Sequence, residues 1–275
     1  MKTNKLIILL LMAAGIVFIV NAQESKTMYV MKNGTIAYQS AVSDIDSIIF
    51  YAPAAIVGCF PEVSDKYVYP IVPGMIEWKQ LESTDEAYKL CQLPEGVLST
   101  ISTSGLIDAL IYAPLFTGFY LLSSNPSALK WHAHYQSFNS ARELFTREDA
   151  GNALVAYYKL ARFDCVVSPV SAFKEYERMM GLEILFTKQE ILDKMGHEKK
   201  KEAVAALLKN YNQFPDYING IYPMTYLMFA DKYAPMVKYS QEHAGIFQQI
   251  LEGYLPLNQK DSIVYFAKNY INNTS

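Results

Sequence analysis

The sequence predicts a mainly α-helical protein, an irregular helical bundle or a degenerate array of antiparallel helix pairs, preceded by a small two- or three-stranded β element. Three observations lead to this prediction. Apolar residues alternate before residue 52 and recur every three or four residues after residue 75. Prolines and glycines crowd the stretch between these two parts. Further prolines limit each helix to about twenty residues.

The first 22 residues have the pattern of a signal peptide. Lys2 and Lys5 precede an uncharged apolar run from Leu6 to Val20, and Ala22 stands at the expected cleavage site. The run is shorter than the ~20 residues that a membrane-spanning helix needs. We therefore expect cleavage rather than an uncleaved anchor. The mature chain, without a membrane span, should reach the periplasm or cell surface of a Gram-negative bacterium.

The charge balance argues against nucleic acid as a partner. Loss of the signal peptide removes two lysines and no acidic residue, which takes the formal net charge from −3 to −5. Basic residues are dispersed apart from the run Lys199–Lys201, which we interpret as a solvated helix face. Nucleic-acid binding relies on a basic patch that this distribution lacks. The composition indicates no particular oligomeric state.

Three cysteines, Cys59, Cys91 and Cys165, allow at most one disulfide and leave one thiol over. Cys91 and Cys165 stand among apolar residues of the helical part, where a small buried thiol is the commoner state. We expect no bridge, with Cys91 to Cys165 as the pairing to test first if one forms.

The β element is predicted from a turn signal between two apolar runs. Asn33-Gly34 favours a tight type I′ turn, so Met28–Lys32 and Thr35–Ser40 should pair as a hairpin. A third run, Val42–Tyr51, supplies a further strand. A sheet this small needs a packing partner, because isolated hairpins are marginally stable in water.

These signals divide the chain into four parts: a signal peptide at residues 1–22, the β segment at 23–51, a Pro- and Gly-rich connector at 52–74 and an α-helical domain at 75–275. We expect the connector to lie along the surface, ordered by apolar residues such as Tyr67. The helical part, from about Tyr69 onward, holds the larger core and should fold without the β segment.

Three capping boxes predict helix starts in the helical part. In each box a hydroxyl residue is followed three positions later by glutamate, so that the hydroxyl can accept from a backbone amide while the carboxylate reaches back. The boxes begin at Ser83, Ser140 and Thr187. Apolar residues at helical spacing follow them, which indicates helices with one buried face.

Part of the helical domain is similar to known sequences. Residues 69–116 read YPIVPGMIEWKQLESTDEAYKLCQLPEGVLSTISTSGLIDALIYAPLF, and residues 138–151 read FNSARELFTREDAG. These blocks resemble a group of uncharacterised exported α-helical proteins of Bacteroidota-type bacteria. The pattern MKNGTIAY followed by VSDIDSIIFY resembles a short β segment common behind their signal peptides. The resemblance implies export and a helical fold, and it implies no activity and no catalytic residues.

Candidate chemistry is sparse in this sequence. His132 and His134 could converge on a metal only in an extended segment, because residues two apart in a helix point away from each other. We favour two surface or capping histidines instead, and predict no metal site. The sequence contains no nucleophile elbow and no phosphate loop, so we assign no catalytic residue and no cofactor.

Tyrosine is unusually frequent, with 21 copies, and several cluster around prolines near the C-terminus. The candidate binding residues of this cluster are Tyr217, Tyr222, Tyr226 and Tyr233. Tyrosine combines a rigid apolar face with a polar tip, which suits recognition of peptides or sugars. The alternative is that these rings close gaps between helices.

We expect an exported binding or interaction protein whose helical scaffold presents a surface to a protein or a glycan. Helical arrays offer such surfaces without a buried set of catalytic groups. The alternative is a periplasmic hydrolase with a site assembled from residues distant in sequence. Ser47 and Ser262 each stand in Asp-Ser-Ile, which resembles a bacterial O-glycosylation acceptor.

Overall fold

A computed structural model describes the chain at residues 27–32, 35–42, 58–118, 128–162, 169–213, 220–252 and 255–272. The chain divides into two compact units, Met1–Ile56 and Val57–Ser275. The predicted signal peptide, nearly all of the third β run, Ser47, Cys165 and Tyr217 lie outside the described residues.

The first unit contains the predicted β-hairpin. Strand β1, Thr27–Lys32, pairs antiparallel with strand β2, Thr35–Ala41. The register places Lys32 opposite Thr35, so the chain reverses over the Asn-Gly pair between them. The strand bounds confirm the hairpin prediction.

The second unit is built from helices, which confirms the mainly α prediction. Its described helices are α1 (Ile76–Lys79), α2 (Thr84–Leu90), α3 (Glu95–Leu98), α4 (Thr103–Ile111), α5 (Ala128–Tyr135), α6 (Asn139–Thr146), α7 (Ala150–Leu160), α8 (Pro169–Ile184), α9 (Gln189–Leu192), α10 (His197–Gln213), α11 (Ile221–Ala230), α12 (Ala234–Glu242), α13 (Ile246–Leu251) and α14 (Leu257–Asn272). A 3-10 turn, Leu185–Thr187, follows α8 directly. The described helices range from one turn to more than four turns, and together they form an irregular bundle.

Helix α2 begins as its capping box predicts. The Ser83 hydroxyl accepts a hydrogen bond from the Glu86 amide at 3.2 Å, and the Glu86 carboxylate accepts one from the Glu82 amide at 3.0 Å. The boxes at Ser140 and Thr187 lie close to helix starts, but neither α6 nor α9 has a side-chain cap. Thr187 donates its hydroxyl hydrogen to the Ile184 carbonyl instead, because the 3-10 turn that contains Thr187 continues directly from the end of α8.

One hydrophobic core runs through the helical unit. Helix α4 is buried along almost its whole length and packs against α6 and α7. Helix α10 is surrounded by α7, α11 and α14. Gly181 on α8 permits close packing of the Phe116 and Trp131 rings, since a Cβ there would lie 2.4 Å from the Phe116 ring. Burial on several sides explains why α4 is apolar around most of its circumference, whereas α10 buries one stripe of a mostly polar helix.

The described part of the predicted connector contributes to this core. Cys59, Phe60 and Tyr69 are buried. The Tyr69 hydroxyl donates to the Ala109 carbonyl at 3.0 Å, which anchors the segment on α4. Residues 58–74 therefore belong to the helical unit and supply part of its interior, in addition to lying along its surface.

The expectation of no bridge is wrong, because Cys59 is disulfide-bonded. Cys91 is a free buried thiol, as expected, and burial raises its pKa to about 11. The pairing of Cys91 with Cys165, given for the case that a bridge forms, is therefore also wrong. The Arg162 amide donates to the Cys59 carbonyl at 2.7 Å, which joins the first described residues of the helical unit to the chain just after α7.

A helix that crosses a membrane must be both long and apolar. None of the helices within the described ranges is both long and apolar enough to cross a bilayer. The longest, α8, α10 and α14, have charged residues along their length.

Candidate functional site

A cleft of about 620 Å³ opens between helices α9 to α13. Aromatic side chains form its apolar wall: Tyr226 and Phe229 come from α11, and Phe247 comes from α13. The spacing of Tyr226, Phe229 and Ala230 places these three residues on one face of α11. The opposite face of that helix is buried in the core, so this stripe is the face left to the cleft.

The three rings form one packed cluster that still meets solvent. The Phe247 ring centroid lies 5.1 Å from that of Tyr226 and 4.6 Å from that of Phe229, in edge-to-face geometry. Phe229 is 40% exposed, which is unusual for a phenylalanine beside a large core. Burial raises the pKa of Tyr226 to about 12, so its hydroxyl stays protonated at neutral pH. The cleft wall is thus apolar and uncharged.

Two lysines bring positive charge to this apolar wall. Lys200 comes from the first turns of α10, and Lys232 comes from the turn after α11. Lys200 is only 9% exposed, which corrects the interpretation of the lysine run as a solvated face. Among the described residues, its ammonium has no carboxylate within ion-pair distance and no hydrogen-bond acceptor. Its neighbour Lys199, by contrast, pairs with Glu202 at 2.6 Å.

The position of Lys200 is costly for two physical reasons. A lysine side chain that is only 9% exposed loses most of its rotamer freedom, here without an ion pair in return. The first turns of a helix also carry partial positive charge from backbone amides, which disfavours a lysine there. The described lining has two lysines against one acidic residue, Asp193, so its formal charge is positive.

Lys232 adopts a backbone conformation that usually belongs to glycine. Its φ is +57°, in the left-handed region. The Lys232 amide donates to the Phe229 carbonyl at 2.9 Å, and the Tyr233 amide donates to the Met228 carbonyl at 3.0 Å. This pair of bonds is the Schellman motif, in which glycine is preferred at the left-handed position. A lysine there gives up backbone stability and places a second cation at the cleft.

The remaining polar groups of the cleft are partly satisfied by each other. The Gln189 side-chain amide donates to the Asp193 carboxylate at 2.6 Å. Asp193 is the one acidic residue in the described lining, against two lysines. The described part of the cleft thus offers three aromatic rings, a net positive charge and few free hydrogen-bonding groups.

A histidine and aspartate pair lies beside the cleft. The His197 Nδ1 atom is 2.5 Å from the Asp231 carboxylate, which also accepts the Tyr270 hydroxyl at 2.7 Å. His197 Nε2 lies 3.7 Å from Glu198. These contacts join the start of α10 to the end of α11 and to α14. The described partners of His197 are acidic groups, none of which is a hydroxyl or thiol nucleophile.

A second cleft, of about 360 Å³, is lined by Tyr112, Phe173, Lys174 and Arg178 among others. Its buried Glu177 accepts the Gly118 amide at 2.6 Å, and Arg178 forms an ion pair with Glu175. Its other cation, Lys174, is exposed, whereas Lys200 in the cleft at α9 to α13 is buried.

A buried acidic group, Asp108, lies near that second cleft. Its carboxylate is 1% exposed, and its pKa is raised by burial although the hydrogen bond from Tyr157, at 2.9 Å, acts against the rise. Lys66 lies 4.0 Å away and also stacks over the Tyr112 ring. A carboxylate enclosed to this degree ties α4 to α7 and is not open to a substrate.

The predicted tyrosines do not form one site. Tyr226 lines the cleft, whereas Tyr222 is 4% exposed and belongs to the core. Tyr233 packs edge-on against Tyr270 with ring centroids 5.1 Å apart, which closes a gap between helices. Tyr217 lies outside the described residues.

The two candidate metal ligands face different partners. His132 lies 2.7 Å from the Thr187 hydroxyl, and His134 lies 3.3 Å from the Tyr88 hydroxyl. Both are on α5, where their spacing directs them apart. Burial lowers the pKa of each to about 4, so both are neutral at pH 7. Within the described ranges, no group of three metal-binding side chains is present.

Sequence reasoning missed Lys200, Lys232, Phe229 and Phe247. One signal was available for Lys200. It lies in the first turns of a predicted helix, where lysine is unfavourable, and only one acidic residue, Glu198, directly precedes the lysine run. No local signal identifies the two phenylalanines, because an exposed ring and a buried ring have the same helical spacing. Ser262 lies inside α14 and donates to the Asn258 carbonyl at 3.2 Å, and its modification stays a prediction.

Comparison of the chain with protein-family models, with curated proteins and with solved structures found no match. The resemblance to exported helical proteins therefore stays a prediction. Function has to be inferred from the geometry and charge of the cleft.

Proposed function

We propose that this chain is an exported binding protein whose cleft at α9 to α13 receives an apolar group of a protein partner. The observation that carries the proposal is the solvent-facing ring cluster, in which Phe229 is 40% exposed although a large core lies beside it. Aromatic rings that remain accessible in a concave surface are typical of binding sites.

Export is supported by two independent features. The N-terminal sequence has the pattern of a signal peptide. Cys59 is disulfide-bonded, and structural disulfides persist in oxidising compartments such as the periplasm. A bridge in a chain with only three cysteines is uncommon in a reducing cytosol.

A protein partner is favoured over a glycan by the polar groups of the cleft. Sugar hydroxyls need several free donors and acceptors, but Gln189 and Asp193 bond to each other. Apolar side chains need only desolvated contact area, which the rings supply. Binding of a neutral sugar with loss in Gln189→Ala, and no loss in ring variants, would instead indicate a glycan partner.

A hydrolase is the second candidate, favoured by the His197 and Asp231 pair. Such a pair can hold an imidazole in the orientation of a general base. His197→Gln should abolish turnover of the chain's substrate if this candidate is right, whereas Phe229→Ala should weaken substrate binding only. Ester and peptide substrates with chromogenic leaving groups provide the assay.

The proposal is tested with 1-naphthaleneacetamide, an uncharged aromatic probe. We expect binding to the mature protein by calorimetry, and a loss of about tenfold or more in affinity in Phe247→Ala, since a central ring is worth about 1.4 kcal/mol or more at such sites. Tyr265→Ala is the matched control, because Tyr265 is an exposed ring on α14 outside the cleft lining. Equal binding by the wild type and Phe247→Ala would contradict the proposal.

A further inference from the structure

The cleft differs from an ordinary apolar groove in its charge. The Lys200 ammonium reaches the cleft while the rest of the side chain is buried. No described residue offers it a counter-charge. Lys232 brings a second ammonium to the same lining, in a backbone conformation that glycine would adopt at lower cost. Both lysines are thus placed where stability alone would not favour them.

We propose that the cleft binds a carboxylate carried next to an apolar or aromatic group, with Lys200 as the residue that pairs with the carboxylate. This inference rests on the proposed function and names the chemistry of the ligand. The apolar group would pack on Tyr226, Phe229 and Phe247, while the carboxylate reaches the ammonium.

The charge complementarity follows from burial. Because the Lys200 side chain is only 9% exposed, it is already held in place and loses less conformational freedom on pairing with an anion than an exposed lysine does. The backbone amides at the start of α10 add to the positive potential felt by the same anion. Lys232 is exposed, so its contribution is smaller and more strongly screened by salt.

Two sources can supply this chemistry: a free small carboxylic acid, or the C-terminal residue of a peptide with an apolar side chain. Both present one carboxylate within a few atoms of an apolar group. They differ in the backbone amides that a peptide carries before its terminal residue. The shared chemistry is tested first, and the two sources are separated in a second arm.

The first arm compares 1-naphthaleneacetate with 1-naphthaleneacetamide, which have the same ring system and differ in charge. We expect the acid to bind the wild type about tenfold or more tightly than the amide. Lys200→Met should remove this preference and leave amide binding unchanged. Lys268→Met is the matched control, since Lys268 is an exposed lysine on α14, and it should keep the preference.

The variant is expected to fold, because methionine keeps nearly the length and volume of the lysine stem. Urea unfolding of Lys200→Met checks this directly. Should it unfold, Lys232→Gly gives a second measurement: the acid preference should fall while the affinity for the amide stays the same.

The second arm compares acetyl-Gly-Gly-Phe as the free acid and as the C-terminal amide. A Lys200-dependent preference for the free acid supports a peptide terminus as the source. Binding of naphthaleneacetate without binding of either peptide supports a small free acid.

Three results would overturn the inference. The first is equal affinity for acid and amide, and the second is an acid preference that survives in both Lys200→Met and Lys232→Gly. The third is tight binding of glucuronate that depends on Lys200 and not on Phe247, which would remove the apolar requirement. If Phe247→Ala still weakens binding of the probes when the acid preference is absent or does not depend on the lysines, the proposed function stands and only the charge inference fails. If no probe depends on Phe247, the proposed function fails as well.

Discussion

The helical unit contains two aromatic clusters that differ in how they meet solvent. Around Phe116, the rings of Trp131 and Tyr135 are fully buried, and the Tyr135 hydroxyl donates to the Gly181 carbonyl at 2.5 Å. Around Phe247, the rings stay partly exposed and two lysines without described counter-charges stand beside them. The number of rings therefore does not distinguish a core from a binding site. The exposure of the rings and the presence of charged side chains without partners beside them do make this distinction.

The largest expected difference between the clusters is in stability. Phe116→Ala should reduce the free energy of unfolding by about 3–5 kcal/mol, because it leaves a cavity in a close-packed interior. Phe229→Ala should cost less than about 1 kcal/mol, because that ring is 40% exposed. Urea denaturation followed by circular dichroism measures both values. Similar losses in the two variants would mean that the clusters do not differ as described.

Residues 58–75, which precede α1, contribute buried side chains to the core of the helical unit. None of them lines the described part of the cleft at α9 to α13. A chain that begins at Val57 should keep the stability of the mature protein, since the hairpin belongs to a separate compact unit. A chain that begins at Tyr67 lacks Cys59 and the buried Phe60. The bridge alone is worth about 2–5 kcal/mol.

Thermal and urea unfolding of the two shortened chains measure how much residues 57–66 stabilise the helical unit. Cys59→Ser in the longer chain is the control that separates the contribution of the bridge from that of the other residues. We had expected a helical part beginning near Tyr69 to fold without the preceding segment. Equal stability of the two shortened chains would restore that expectation, and would show that residues 58–66 contribute little.

The buried cluster should also respond to acid through His134. Burial lowers the pKa of His134 from 6.5 to about 4, so the folded state binds its proton less readily than the unfolded state. The stability that depends on neutral His134 is complete above about pH 6.5 and is lost as the pH falls towards 4. The wild type should lose on the order of 2–3 kcal/mol more than His134→Gln over this range. Parallel stability curves for the two proteins between pH 7 and 4 would rule out this role.

The smallest expected effect belongs to the open cluster. Lys232→Gly should raise the free energy of unfolding by about 1 kcal/mol, because glycine adopts the left-handed conformation without a steric cost. Differential scanning calorimetry measures the increase in melting temperature. Lys238→Gly is the contrasting control, since that exposed lysine is inside α12 and glycine there should destabilise by about 1 kcal/mol. A loss of stability in Lys232→Gly would mean that the Lys232 side chain itself stabilises the fold.

Local patterns were sufficient for much of the fold. The Asn-Gly pair and its flanking strands predicted the hairpin, and the box at Ser83 predicted the start of α2 with its cap. At Ser140 and Thr187 the same pattern marked a helix start nearby without forming the cap. Neighbouring segments decide between these outcomes: Ser140 is buried, and Thr187 is taken up by the 3-10 turn.

The candidate site was predictable only in part. Tyr226 was among the proposed binding residues, but Tyr222, four positions earlier, belongs to the core. The sequence offers no means to separate them, because residues four apart lie on the same face of a helix. Which stretch of that face is covered depends on how the neighbouring helices pack against α11. The same applies to Lys199, which pairs with Glu202, and Lys200, which is buried at the cleft.

The sequence by itself determined the mainly helical class, the hairpin and the approximate helix starts, because backbone preferences and hydrophobic periodicity act over a few residues. Tertiary structure alone decided that Cys59 forms a bridge, and that Lys200 and three aromatic rings line the same cleft. These outcomes depend on distances between segments far apart in the chain. Such distances are set by how the helices pack against one another, since core packing and not local preference fixes helix orientation.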